Sequence, residues 1–187
     1  MIGISGASGA QIAVELLKAM KSHQNWETHL IVSPSAEITL QQETVYTVNE
    51  VMELADRVYD YRNIAASVSS GSFKTEGMVI IPCSMKTLAG IACGYSDNLL
   101  LRAADVTLKE KRKLVLGVRE TPLNVIHIRN MLTASEAGAT ILPLMLTYYN
   151  KPKNIIDMTR HIVGKILDTF NLDYSKFSRW GENDEKD

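Results

Sequence analysis

The chain of 187 residues is short of several features that would assign it to a special class of protein. Its two cysteines, Cys83 and Cys93, are too few for the disulfide scaffold of a small secreted domain. The net charge is −1, without the surplus of lysine and arginine that a nucleic-acid groove requires. No apolar run approaches the ~20 residues of a membrane span, and the first residues lack a signal-peptide pattern. These absences predict a cytoplasmic protein with neither a membrane nor a nucleic-acid partner.

The sequence also lacks the histidine spacing that is typical of a metal site. The four histidines are scattered over four predicted elements, and no pair has the H-x-x-x-H spacing, so we predict no metal centre. The sequence shows no internal repeat and no interdomain linker. We therefore expect residues 1–187 to form one domain with a substantial core, ending in a loosely ordered acidic tail at about 171–187.

Strand and helix patterns, in contrast, alternate along most of the chain. Five strands are predicted, at 2–4, 29–33, 77–84, 113–120 and 139–143. Helical patterns separate them, including one at 47–58 that is followed by a long polar loop at 59–77. Pro122 is expected in the first turn of a helix that stops at Gly138. The alternation predicts an α/β fold, a three-layer sandwich around a mostly parallel sheet.

In such a sheet, ligands bind outside the carboxyl ends of the strands, so the loops there form the candidate site. The first loop reads Ser5-Gly6-Ala7-Ser8-Gly9 and matches neither the dinucleotide fingerprint nor the P-loop. Its glycines allow a ligand to approach the backbone closely, and its hydroxyls can bind a phosphate or a ring nitrogen. The alternative is a tight turn with a serine N-cap, and these residues alone leave both interpretations open.

The loop at 82–87 follows the most apolar strand. Ser84 is placed to cap the next helix, and Lys86 falls in its first turn, where a cation opposes the helix dipole unless an anion offsets it. This mismatch favours an anion site over a plain cap. Cys83 has no histidine nearby in the sequence, so a buried thiol is favoured over a nucleophile.

Charged residues also cluster late in the chain. Arg119 and Glu120 end the fourth predicted strand and could bind a phosphate and move a proton, or form a surface pair of little energetic value. Arg102, Asp105 and Lys109 share one helical face, which matters only if that helix borders the pocket. Together these residues predict a pocket for a phosphorylated ligand.

Four motifs in order, GISGASGA, IIPCSMKTLAGIACG, LLLRAADVTLKE and KLVLGVRETPL, resemble the UbiX-type flavin prenyltransferases. The resemblance runs from Ile2 to about Asp168 and is strongest to accessory subunits (B type) of aromatic-acid decarboxylases. It implies a flavodoxin-like or Rossmann-like fold and a homo-oligomer, typically a dodecamer. It also implies metal-independent transfer of a dimethylallyl group from dimethylallyl phosphate to reduced FMN. The prenylated FMN would then serve a UbiD-type decarboxylase of aromatic or unsaturated acids.

The resemblance also implies roles for individual residues. It assigns FMN binding to Gly6, Ala7, Ser8, Ser33, Ser84, Met85, Lys86, Thr87 and Arg119. It assigns catalytic roles to Ser8, Arg102, Lys109 and Glu120, of which Glu120 would assist phosphate departure. Tyr149 and Lys165 would bind dimethylallyl phosphate. Lys165 stands where the family usually has arginine, which keeps the charge but loses the bidentate fork.

Two other functions remain open at this point. An FMN-dependent cysteine decarboxylase of a related fold would have an asparagine-rich loop where this chain has Ser84-Met85-Lys86, and a histidine in the first helix. A non-catalytic FMN carrier of the flavodoxin kind is usually strongly acidic, unlike this chain. Direct decarboxylation of an aromatic acid is assigned to the partner enzyme. The sequence does not distinguish a monophosphate from a diphosphate donor, nor say which site residues come from a neighbouring subunit.

Overall fold

The computed structural model describes residues 1–177 and 179. Its strands are β1 (Ile2–Ile4), β2 (His29–Val32), β3 (Arg57–Tyr59), β4 (Gly77–Cys83), β5 (Lys113–Val118) and β6 (Ala139–Ile141). They form one parallel sheet in the order β3-β2-β1-β4-β5-β6, the strand order of Rossmann folds. The predicted α/β fold with a parallel sheet is confirmed.

Helices cover both faces of the sheet. They are α1 (Ala10–Met20), α2 (Pro34–Glu43), α3 (Val48–Met52), α4 (Met85–Ala92), α5 (Leu99–Lys109), α6 (Val125–Glu136) and α7 (Ile155–Thr169). In β4, Val79 and Ile81 pack with α1 and α7, whereas Met78 and Ile80 pack with α4 and α5. Successive side chains of a strand point to opposite faces, so one apolar run supplies both cores of the three-layer sandwich.

The helix predicted at 47–58 is too long, and its last part is the strand β3. Thr47 and Glu50 form a capping box that starts α3, but the helix ends at Met52. Residues 57–59 then pair with β2 at the edge of the sheet. This strand was not predicted because it lies at the edge of the sheet and most of it is exposed. An exposed strand has little of the apolar periodicity from which strands are predicted.

The prediction for Pro122 is also wrong. Asn124, not a residue before Pro122, is the N-cap of α6, and its side chain accepts a hydrogen bond from the His127 amide at 2.9 Å. Pro122 therefore precedes the helix. An asparagine two residues after the proline caps the helix better, because its side chain satisfies an otherwise unpaired amide.

The chain after Phe170 is partly incorporated into the core. Tyr174 and Phe177, which fall within the predicted tail, are buried against the α1–α7 layer. A Cβ on Gly164 would lie 2.2 Å from Phe177 Cγ, so the glycine permits this packing. The rest of the predicted tail, 178 and 180–187, lies outside the described residues. No helix in the described part of the chain is long and apolar enough to cross a membrane.

Candidate functional site

The candidate site lies where the strand order changes direction, between β1 and β4. The loops after these two strands diverge there, and doubly wound sheets place their ligand in this crevice. A cleft of ≈ 480 Å³ opens at this point. Five of the predicted FMN-binding residues line it: Gly6, Ser33, Ser84, Lys86 and Thr87.

Ser5 joins the two loops that flank the cleft. Its buried hydroxyl donates to the Pro82 carbonyl at 2.9 Å and accepts a hydrogen bond from the Ser84 amide at 2.8 Å. The Ser5 amide also donates to the Pro82 carbonyl. Buried polar groups with all partners in place hold a unique geometry, so these hydrogen bonds fix the loops after β1 and β4 relative to each other beside the cleft.

Gly6 permits the first loop to contact the start of α2. A Cβ at this position would lie 2.3 Å from the Cβ of Ser35, a distance that real structures do not show. The loop therefore needs glycine here, and its backbone is exposed to whatever occupies the cleft. From the sequence, this glycine was expected to let a ligand approach the backbone. In the structure it also lets the start of α2 approach the loop.

Two helix N-termini face the cleft through their caps. Ser33 caps α2 by accepting a hydrogen bond from the Ala36 amide, and Ser84 caps α4 by accepting one from the Thr87 amide. The predicted cap at Ser84 is confirmed. Lys86 is exposed in the first turn of α4. The partial positive charge of two helix starts, with the lysine, makes this end of the cleft suited to an anion.

A second cluster lies on the other side of the first loop. Glu43 Oε2 accepts hydrogen bonds from the amides of Gly9 (2.8 Å) and Ala10 (2.9 Å), and it also accepts one from the Ser8 hydroxyl. Burial acts to raise the pKa of Glu43, but these hydrogen bonds and the nearby Arg119 lower it below its usual range. Glu43 is therefore ionised at neutral pH and fixes Ser8 and the start of α1.

No motif in the sequence predicts a role for Glu43. It lies 34 residues after Gly9, at the end of α2, and nothing in its neighbourhood marks it. The available signal was the start of α1, where Gly9 has no side chain to cap the helix and the first turn contains no acid. A helix start without a local cap needs a distant acceptor.

The remaining predicted FMN ligands lie around these two clusters. Arg119 follows β5, and its amide donates to the Cys83 carbonyl at 3.2 Å, next to the start of the loop after β4. Met85 packs against the α4–α5 core, and Ala7 sits in the turn between Ser5 and Ser8. Cys83 itself is fully buried, which confirms the prediction of a buried thiol, and burial raises its pKa to about 12.

Arg102 and Lys109 do not line the cleft. The Arg102 guanidinium contacts Asp105 at 2.7 Å and donates to the Ser69 carbonyl at 3.1 Å, on the outer side of α5. Lys109 pairs with Glu110 at the end of the same helix. Within one chain these two residues are thus separated from the flavin-side cluster, and their catalytic roles stay predictions.

The predicted donor-binding residues lie on and before α7. The Tyr149 hydroxyl is 3.4 Å from Nε2 of His161, and the two rings pack edge to face. Lys165 is exposed one turn further along α7. Glu120 is exposed after β5, where its carboxylate accepts a hydrogen bond from the Thr121 amide. The described residues contain no group of three or more histidine, cysteine, aspartate or glutamate side chains that could hold a metal ion.

A Rossmann-ordered sheet with a cleft suited to an anion at the switch point is typical of α/β proteins that bind nucleotides or flavins. The model of the Flavoprotein family matches residues 1–171, which specifies the flavin class. A probable UbiX-like flavin prenyltransferase of Sedimentibacter hydroxybenzoicus is 53% identical over 180 residues, 96% of this chain and 95% of the relative. The chain belongs to the UbiX-like flavin prenyltransferases, as the sequence motifs indicated.

Solved structures agree with this assignment. A dodecameric FMN-dependent UbiX-like decarboxylase from Escherichia coli O157:H7 has a TM-score of 0.95 at 49% identity, covering 96% of this chain and 97% of that one. AnUbiX (PadA1), solved with FMN and dimethylallyl pyrophosphate, has a TM-score of 0.94 at 48% identity, covering 96% and 95%. Peptidyl-cysteine decarboxylase EpiD, at 18% identity and a TM-score of 0.63, shares the fold alone.

Proposed function

We propose that this chain transfers a dimethylallyl group from dimethylallyl phosphate to reduced FMN. The observation that carries the proposal is the cleft at the β1–β4 switch point, which gathers five predicted FMN ligands from three separate segments. The residues fit a flavin phosphate: Gly6 leaves room for a ligand, and hydroxyls, helix starts and Lys86 offer donors and positive charge. Membership of the prenyltransferase family supports the reaction.

Reduced FMN supplies the electron-rich ring that attacks the allylic carbon. The protein must hold the ring and the prenyl donor in contact, which by itself contributes a large part of the acceleration. We propose that Ser8, oriented by the ionised Glu43, contacts the flavin ring and that Arg119 holds the same end of it. The proximity of Arg119 to Glu43 supports this grouping.

Breaking the allylic C–O bond releases a phosphate dianion, so cations and hydrogen-bond donors must surround it. We propose that Tyr149 and Lys165 bind this phosphate and that Glu120 supplies or removes a proton as it departs. The exposure of all three side chains leaves them accessible to a ligand. No protein nucleophile is required, which agrees with the complete burial of Cys83.

We further propose that the enzyme is a homo-oligomer and that Arg102 and Lys109 act in the cleft of a neighbouring copy. Their position outside the cleft of their own chain supports this proposal. So does a run of exposed apolar side chains on α6: Val125, Ile126, Ile128 and Leu132. The dodecameric state of the UbiX-like relative is consistent with it. A cytoplasmic location and a UbiD-type decarboxylase as the recipient of the product stay predictions.

The proposal is tested by incubating the purified protein anaerobically with reduced FMN and dimethylallyl phosphate, and by weighing the extracted flavin. We expect a flavin heavier by one five-carbon unit. A parallel incubation with dimethylallyl diphosphate decides between the two donors. Glu120→Gln should reduce the yield at least about 100-fold, the usual contribution of an acid–base group, whereas Glu53→Gln, an exposed glutamate after α3, should not. Unmodified FMN in every incubation contradicts the proposal.

The two other functions predict different products. A cysteine decarboxylase would release CO2 from a peptide with a C-terminal cysteine, and a carrier would return FMN unchanged with every substrate. The likeness to EpiD concerns the fold alone and does not favour the first. Measuring CO2 release with such a peptide therefore separates the three functions in one set of incubations.

A further inference from the structure

His161 is a buried histidine that none of the roles above uses. It lies in the middle of α7 and is 6% exposed. Its ring packs edge to face against Tyr149 on one side and Phe177 on the other, with centroid distances of 5.5 and 5.2 Å. This polar ring is buried next to a residue proposed to bind substrate. The hydrogen-bond partners of its two nitrogens therefore need to be identified.

The two ring nitrogens have different surroundings. Nε2 lies 3.4 Å from the Tyr149 hydroxyl, whereas Nδ1 is buried and has no hydrogen-bond partner among the described residues. Burial, and to a lesser degree the positive charge of Lys165, lower the pKa of His161, so the ring is neutral and carries one proton. Buried N–H groups without an acceptor are rare, so the proton belongs on Nε2 and the bare lone pair on Nδ1.

This tautomer determines how the Tyr149 hydroxyl is used. When Nε2–H donates to the tyrosine oxygen, the hydroxyl proton must point away from the ring and can be donated to an anion. Lys165 follows His161 by one helical turn and lies on the same face of α7. We propose that His161 is a positioning residue that holds Tyr149 as a hydrogen-bond donor toward the phosphate of the prenyl donor. The inference rests on the proposed role of Tyr149 in donor binding.

Two substitutions separate positioning from simple packing. Gln places an amide N–H near the position of Nε2, whereas Asn is too short to reach Tyr149. We therefore expect His161→Asn to raise KM for dimethylallyl phosphate about tenfold, as the loss of one hydrogen bond to a charged group would, with a small change in kcat. His161→Gln should restore most of the affinity, and FMN binding should be unchanged in both variants. Thr159→Val, another buried polar residue of α7, should leave KM unchanged.

A double-mutant cycle tests whether the effect passes through the tyrosine. In a Tyr149→Phe background, His161→Asn should cause little further rise in KM. The tautomer is measured independently by solid-state NMR of enzyme labelled with ¹⁵N-histidine, with the His161 signal identified by its loss in the Asn variant. A proton on Nε2 supports the proposal.

A proton on Nδ1 overturns it, and so do equal kinetic effects of Asn and Gln or an undiminished effect in the Phe background. If the wild-type enzyme prenylates no flavin, the proposed function fails. The NMR measurement still decides the tautomer in that case, so the two failures are distinguishable.

Discussion

The flavin side and the donor side of the proposed site are built in different ways. On the flavin side, Ser5 is 1% exposed and bonds two loops together, and Gly6 fits against Ser35 with no room for a side chain. On the donor side, Tyr149 is 49% exposed and Lys165 projects from the surface of α7. The first half is part of the folded core of one chain, whereas the second half offers side chains to a ligand or a neighbouring copy.

This contrast has a consequence for mutation. A substitution on the flavin side disturbs the backbone that shapes the cleft, so it should affect every step that needs FMN. A substitution on the donor side changes one accessible side chain, so it should affect the affinity for the prenyl donor and little else. Substitutions at three positions, Gly6, Lys165 and Glu43, test this difference. The His161 variants described above test it where the donor side meets the core.

The largest effect is expected from Gly6→Ala. The new Cβ would lie 2.3 Å from Cβ of Ser35, so the loop must move away from α2. Misplacing a binding loop by about 1 Å reduces catalysis on the order of 100-fold, and FMN affinity should fall with it. The measurement is FMN titration together with the prenylation rate. Adding Ser35→Gly removes the conflicting atom, and the double variant should regain most of the binding; failure to do so would mean that the glycine serves another purpose.

A smaller effect is expected from changing Lys165 on the donor side. Lys165→Met removes a charge from the proposed phosphate site and should raise KM for the donor about tenfold. Lys165→Arg introduces the bidentate guanidinium that the family resemblance leads us to expect at this position, and it should lower KM about threefold. FMN affinity should stay constant in both variants. Steady-state kinetics measures these changes, with Lys74→Met as the control because Lys74 is an exposed lysine before β4. A change in FMN binding in the Lys165 variants would contradict the proposed separation of a flavin side from a donor side.

The smallest effect concerns stability and the charge of Glu43. Its pKa in the folded protein lies below the ordinary value of 4.5, so its charge stabilises the fold above that pH and the contribution is lost as the pH falls through the folded pKa. Glu43→Gln keeps acceptors for the Gly9 and Ala10 amides but removes the charge. We expect a loss of less than about 1 kcal/mol at pH 7, because the side chain is exposed, and a vanishing difference in acid.

Urea unfolding of Glu43→Gln and the wild type at several pH values between neutral and strongly acid measures this difference. A constant difference at every pH would show that the charge is not responsible. Prenylation by the same variant, compared with Glu53→Gln, shows whether the orientation of Ser8 also needs the charge.

Local sequence patterns were sufficient to predict the long strands and helices and the loops proposed to bind FMN. The apolar run of β4, the cap at Ser84 and the glycine stop at Gly138 are all predictable from the sequence, because each depends on neighbours within a few residues. The edge strand β3 was missed for the converse reason. Its residues form a strand only because β2 lies beside them.

Contacts within the candidate site were difficult to predict for the same reason, because they join residues that are distant in the sequence. No local pattern predicts the role of Glu43, because its partners are 33 and 34 residues away. None predicts the burial of Tyr174 and Phe177, because they pack against α1 and α7, which are distant in sequence or formed by other segments. Arg102 and Lys109 were assigned by resemblance to an active site that they do not reach within one chain.

By itself, the sequence determined the parallel α/β architecture, the loops that meet at the switch point and the family, since these follow from periodicity, caps and contiguous motifs. The tertiary structure decided which of those loops are bonded to one another and that Glu43 holds Ser8 and the start of α1. It also placed Tyr149 against a buried histidine. These are contacts between residues distant in the chain, and their geometry exists only when the sheet and its helices have packed.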